Sequence, residues 1–186
     1  MKGTMRKFKK SDVLTIPNLL SVIRLLLIPL IVWLYVGKAK YLLAFLLVAL
    51  SALTDIVDGR IARRFNMVSD FGKILDPVAD KLTQASLILC LTVRYKTMWL
   101  LIAVFLVKEV CNSLLGIIVI KEQGVVVGAK WYGKLSTVLL YLSMMFMLLF
   151  PNLPNIAANI LICLCTGTII FSLISYLKLY IQLLRS

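Results

Sequence analysis

Six apolar stretches of roughly 20 residues run through the chain, separated by short polar connections. They lie at about Pro17–Val36, Tyr41–Phe65, Lys73–Val93, Met98–Ile120, Lys134–Phe150 and Ile156–Leu184. A helix of that length crosses the hydrocarbon core of a bilayer, about 30 Å thick. In lipid, only helices and closed barrels satisfy their own backbone polar groups. The pattern therefore predicts an all-α integral membrane protein with six transmembrane helices. Those spans use most of the 186 residues, so no separate soluble catalytic domain fits, and residues 1–186 are expected to form one membrane domain. Composition agrees: 61% of residues are hydrophobic and only 16% charged, whereas soluble domains keep about a quarter charged.

The charges that remain are lopsided, with 21 Lys and Arg against 8 Asp and Glu. Lys2, Arg6, Lys7, Lys9, Lys10, Arg60, Arg63, Arg64, Lys73, Lys121, Lys130, Lys134, Lys178 and Arg185 collect on one side of the spans, and only Lys38, Lys40, Arg94 and Lys96 on the other. The positive-inside rule puts the richer side, with both termini, in the cytoplasm. The expected location is a cell (inner or plasma) membrane, crossed several times, with membrane lipids and no nucleic acid as partners. The basic stretch Met1–Lys10 reads either as a short N-terminal interfacial helix on anionic lipid or as a plain topology signal. Ser11 and Asp12 fit capping positions, and Pro17 fits a helix's first turn. Arg24 and Pro29 interrupt the first apolar run and no small-residue cleavage site follows, so a retained span is expected rather than a secretory signal.

There is no histidine, so proton transfer near neutral pH falls to a carboxylate, thiol, amine or phenol, and imidazole metal sites are excluded. Cys90, Cys111, Cys163 and Cys165 lie inside apolar runs without the C-x-x-C spacing of a zinc or redox site, and read as small buried hydrophobes. The acids are crowded. Asp55, Asp58, Asp70, Asp76 and Asp80, five of the eight, fall within one window of 26 residues. On helices, Asp55 and Asp58 stand about 60° apart and Asp76 and Asp80 about 40° apart, so each pair faces one way. A short connection around Asn66–Gly72 makes the two helices antiparallel neighbours whose four carboxylates can converge. Like charges so placed call for cations, and hard oxygen ligands select Mg²⁺, Mn²⁺ or Ca²⁺. Gly59 and Ala62 leave room for phosphates beside the helix, and Gly72 either caps a turn or opens the next helix. The alternative is an interfacial salt-bridge belt of these aspartates with Arg60, Arg63, Arg64, Lys73 and Lys81. Asp70 stands apart as a turn or cap residue.

The run Asp55-x2-Asp58-Gly59-x2-Ala62-Arg63-x8-Gly72-x3-Asp76-x3-Asp80 resembles, without a departure, the signature of the CDP-alcohol phosphatidyltransferase family. The resemblance implies a homodimeric membrane enzyme that moves a phosphatidyl or related group from a CDP-linked lipid donor to an alcohol acceptor and releases CMP. It implies two divalent ions, Mg²⁺ or Mn²⁺, on Asp55, Asp58 and Asp76, with Asp80 near the second ion and acting as general base. It places the CDP moiety against Asp55, Asp58, Gly59, Ala62, Arg63 and Gly72, with Arg63 a phosphate contact or, alternatively, a topology charge.

The first span opens with Pro17-Asn18-x2-Ser21-x2-Arg24, whose polar residues share one helical face and should look inward. This is similar to the opening of phosphatidylglycerophosphate synthases and of the family's cardiolipin synthases. An intramembrane Lys108 either pairs near Glu109 or meets an acceptor phosphate. Arginine followed by glutamate is expected at Lys108-Glu109 in the phosphatidylglycerophosphate synthases, so this chain departs there. Lys130 and Lys134, with Asn18 and Arg24, complete the expected acceptor contacts. That surplus of cations favours transfer from CDP-diacylglycerol to glycerol 3-phosphate. The alternatives are phosphatidylglycerol, as in a cardiolipin synthase, an inositol phosphate or serine as acceptor, and, outside enzymes, a transporter with carboxylates in its path.

Overall fold

Each apolar run forms a helix in the computed structural model, which describes the backbone of residues 16–64 and 72–185 and the side chains of 18–54, 72 and 75–185. We number them α1 (Ile16–Val32), continued by a π-helical turn at Trp33–Gly37, then α2 (Tyr41–Arg64), α3 (Gly72–Thr92), α4 (Met98–Gln123), α5 (Trp131–Leu149) and α6 (Asn155–Arg185). No strand occurs among the described residues. The stretch Met1–Lys10, the caps Ser11 and Asp12, and Asp70 lie outside them.

This is a multi-pass membrane protein. Among the described residues, α1 with its π-helical turn, α4, α5 and α6 are long and apolar enough to cross a bilayer, while α2 is apolar only over Tyr41–Thr54. The third expected span, α3, carries Lys73, Asp76, Asp80 and Lys81 in its opening turns. Asp55, Asp58, Asp76 and Asp80 of the acid cluster lie on α2 and α3. Outward faces are apolar instead of polar: Leu26, Leu42, Leu114, Leu142, Ile156 and Ile160 are all exposed, as lipid contact requires. All three tryptophans, Trp33, Trp99 and Trp131, are more than half exposed and sit at helix ends, the positions of an interfacial aromatic belt.

The chain divides into two compact units, one up to Ser86 and one from Leu87. In the first, α1 packs on α2. Along α2 the buried stripe is Ala44, Val48 and Ser51, small residues at helical spacing that let two backbones approach closely. The turn between them is tight: Ala39 adopts a positive φ of 51°, and Lys38 lies over the Trp33 ring at 5.3 Å.

In the second unit α6 packs against both α4 and α5. Its buried stripe runs Ala158, Ile162, Cys165, Ile169, Ser172, Tyr176 and Tyr180, a period of three to four residues. Cys90 and Cys165 are buried, Cys111 is half-buried and Cys163 is exposed on the apolar surface of α6. The fifth helix starts at Trp131 rather than at Lys134. The three added residues include Gly133, a weak helix former, held in the helix by an aromatic contact described below.

The α1–α2 contact supplies a stability test. Ala44→Leu adds volume where exposure is 0% and should cost about 1–3 kcal/mol, whereas lipid-facing Leu46→Ala should stay within about 0.5 kcal/mol. Thermal unfolding in detergent, followed by tryptophan fluorescence, measures both, and equal midpoints would show that α1 and α2 do not pack there.

Candidate functional site

Among the described residues, two acids of the cluster each accept a hydrogen bond from a neutral side chain. Asp76 and Asp80 stand one helical turn apart on α3. The Ser21 hydroxyl of α1 donates to Asp76 Oδ1 at 2.5 Å, and the Gln84 amide, one turn beyond Asp80, donates to Asp80 Oδ2 at 3.0 Å. Each donor orients its carboxylate without neutralising the charge. Ser21 is fully buried, and its helical neighbours Asn18 and Arg24 are each 3% exposed. The polar face expected to look inward does so. Arg24 brings a buried cation to the face that contacts Asp76 through Ser21.

Neither donor was expected to touch the acids. Gln84 follows Asp80 by four residues, a spacing visible in the sequence, but Ser21 and Asp76 are 55 residues apart and no local pattern links them. The other members of the motif sit on the late turns of α2: the backbone there carries Asp55, Asp58, Gly59, Ala62 and Arg63, and their side chains lie outside the described residues. Gly72 is the first residue of α3 and is buried.

Among the described residues no group of three or more metal-ligating side chains gathers. The chemistry of the donors that are described nonetheless fits a hard divalent cation. Two carboxylates one turn apart, each steered by an outer hydrogen bond, are what an oxygen-ligated ion requires. Asp55 and Asp58, three apart on α2, are of the same donor type.

The expected acceptor lysines fall into two settings. Lys108 is buried in α4 and its Nζ contacts Glu109 Oε1 at 2.8 Å, with side chains 8% and 16% exposed. Of the two alternatives for Lys108, the structure shows the ion pair. Lys130 and Lys134 instead are exposed and bracket the first turn of α5, where the Lys134 N–H donates to the Lys130 carbonyl at 3.1 Å. That turn carries no acidic residue, and the extended N-cap residue Lys130 makes no side-chain capping bond. Two cations thus stand at the positive end of a helix dipole, an arrangement that an anion relieves.

The CDP-alcohol phosphatidyltransferase family pattern matches residues 14–175. A CDP-diacylglycerol–glycerol-3-phosphate 3-phosphatidyltransferase of Salmonella choleraesuis is 30% identical over 174 residues, covering 88% of this chain and 93% of the relative. A protein of the same name from Pseudomonas fluorescens is 39% identical over 106 residues, 55% of this chain and 54% of its own. A CMP-forming cardiolipin synthase of Streptomyces coelicolor is 38% identical over 112 residues, 57% of this chain and 52% of its own. The chain thus spans about half the length of the last two and nearly all of the first.

The buried pair makes a measurable claim. Glu109→Gln removes the charge paired with the buried Lys108 ammonium and should cost about 3–5 kcal/mol, whereas adding Lys108→Met to it should regain part of that loss. Unfolding midpoints of the two single variants and the double decide it; simple additivity would mean that the two side chains do not interact.

Proposed function

The chain belongs to the CDP-alcohol phosphatidyltransferase family, and from that premise we propose that it transfers the phosphatidyl group of CDP-diacylglycerol to the hydroxyl of glycerol 3-phosphate, releasing CMP. The observation that carries this reading is the oriented carboxylate pair Asp76 and Asp80 inside an unbroken family motif. Asp55, Asp58 and Asp76, with Asp80 beside them, would hold two Mg²⁺ or Mn²⁺ ions. Bound there, such ions neutralise charge on the attacking and leaving oxygens and favour in-line displacement at phosphorus.

The protein's own residues do the rest. Asp80, steered by Gln84, takes the proton from the acceptor hydroxyl as that oxygen attacks, in a chain that has no histidine to do so. Ser21 keeps Asp76 in its ligating rotamer. Gly59, Ala62, Arg63 and Gly72 receive the CDP group, with Arg63 contacting phosphate. The active site and both termini face the cytoplasm, on the strength of the basic residues collected on that side. A homodimer is the assembly the family resemblance implies.

What supports glycerol 3-phosphate is the pair Lys130 and Lys134 at a helix N-terminus, which suits a phosphomonoester, together with a relative of that name that aligns along almost its whole length. Asn18 and Arg24 are further acceptor-side candidates. The second reading, phosphatidylglycerol as acceptor, is favoured by the 38% identity to a cardiolipin synthase. Labelled CDP-diacylglycerol offered with glycerol 3-phosphate, phosphatidylglycerol, inositol phosphate or serine separates the readings, with glycerol 3-phosphate expected to release CMP fastest. Preference for any other acceptor overturns the assignment, and no CMP with any of them removes the enzyme reading.

The catalytic roles separate kinetically. Excess chelator should abolish turnover, and Mg²⁺ or Mn²⁺ should restore it. Asp55→Asn, Asp58→Asn and Asp76→Asn should weaken metal and donor binding, whereas Asp80→Asn should lower kcat by about 10²–10⁴-fold with smaller change in donor KM. Full turnover in chelator, or near-normal kcat for Asp80→Asn, refutes the corresponding role.

A further inference from the structure

The opening of α5 is fixed by one side chain from α6. The Tyr176 hydroxyl accepts a hydrogen bond from the backbone N–H of Lys130, the N-cap residue, at 3.0 Å, tying the start of α5 to α6. The Tyr176 ring lies so close to Gly133 that a Cβ built there would meet Oη at 2.5 Å and Cε2 at 3.0 Å. Only glycine fits without moving the ring. Tyr132 packs edge-on against the same ring, centroids 4.7 Å apart at 74°, and Tyr180 stacks on it at 6.0 Å and 23°. Tyr180 in turn sends its hydroxyl to the Asn112 carbonyl of α4 at 3.5 Å. Val119 of α4 joins the same buried cluster.

These contacts pin Lys130, Tyr132 and Gly133, the residues that lead into and form the turn bracketed by Lys130 and Lys134. The two lysine side chains are exposed and long, so a phosphate gains from them only if their backbone attachment points are held in place. From this geometry we propose that Tyr176 is a positioning residue for the acceptor phosphate: it touches no substrate itself but sets the first turn of α5, and with it Lys130 and Lys134, through the Lys130 N–H and the glycine notch at Gly133. The inference rests on the reading that those lysines meet the acceptor phosphate.

Steady-state kinetics with CDP-diacylglycerol and glycerol 3-phosphate test it. Tyr176→Phe keeps the ring and deletes one hydrogen bond, so the KM for glycerol 3-phosphate should rise about threefold to tenfold, while the KM for CDP-diacylglycerol stays within about twofold. Lys134→Met should raise the same KM about tenfold or more, and in that background Tyr176→Phe should add less than it does alone. Gly133→Ala should reproduce the acceptor-specific defect, and adding Tyr176→Phe, which removes the closest atom, should relieve part of it. If Lys134→Met raises the acceptor KM and Tyr176→Phe does not, the positioning role is refuted and the lysine reading stands. If neither Lys130→Met nor Lys134→Met moves that KM, both fall. A Tyr176→Phe defect of equal size on both substrates marks a structural tyrosine only and also overturns the proposal.

Discussion

Carboxylates carried on otherwise apolar helices are the costliest feature of this molecule, and much of its architecture answers to them. α2 and α3 carry them. α1 turns Asn18, Ser21 and Arg24 away from lipid although its other faces are apolar, and Ser21 reaches Asp76 directly. The small stripe of Ala44, Val48 and Ser51 on α2 serves the same end. Close approach of α1 and α2 fixes where the polar face of α1 can point.

The second unit handles charge differently. Of the three lysines expected to meet the acceptor, Lys108 is balanced inside α4 by the residue beside it. The other two stand exposed at the start of α5 with no acid in that turn, and the neighbourhood is stiffened by aromatic rings instead of counter-charges. Tyr132, Tyr176 and Tyr180 combine apolar bodies with polar tips, which suits a site where lipid, backbone and water meet. Rigid rings also lose less entropy on ordering than a set of long charged side chains would.

Periodicity and length made the helices legible in the sequence, because burial in lipid leaves few alternatives to a helix. The inward face of Asn18, Ser21 and Arg24 was legible for the same reason: three polar residues three apart in an apolar run have one comfortable side. Lys108 was legible only as a choice between pairing and pointing into a pocket, since charge alone does not say which rotamer wins. What the sequence hid were contacts between distant residues. Ser21 with Asp76 and Lys130 with Tyr176 join positions 55 and 46 residues apart, and nothing in either local pattern selects the other. α5 starts at Trp131 rather than at the expected Lys134, taking in Gly133, a weak helix former against which the Tyr176 ring lies. The metal-binding and CDP-binding roles rest on the motif, and of the aspartates in it the structure describes the side chains of Asp76 and Asp80.

α5 and α6 differ in a way that bears on the surrounding lipid. With 31 residues α6 is about 46 Å long, whereas the 19 residues of α5 span about 28 Å. The longer helix can slide or tilt in bilayers of varied thickness and keep its apolar middle covered. The shorter one has no such reserve, being about 1–2 Å under the width of typical hydrocarbon. A thicker bilayer would therefore draw the Lys130 end of α5 toward lipid while α6, tied to it at Tyr176, resists. Acyl-chain length then acts as a mechanical load on the one turn that carries the paired lysines, and the composition of the membrane becomes an input to a protein whose proposed product is itself a membrane lipid.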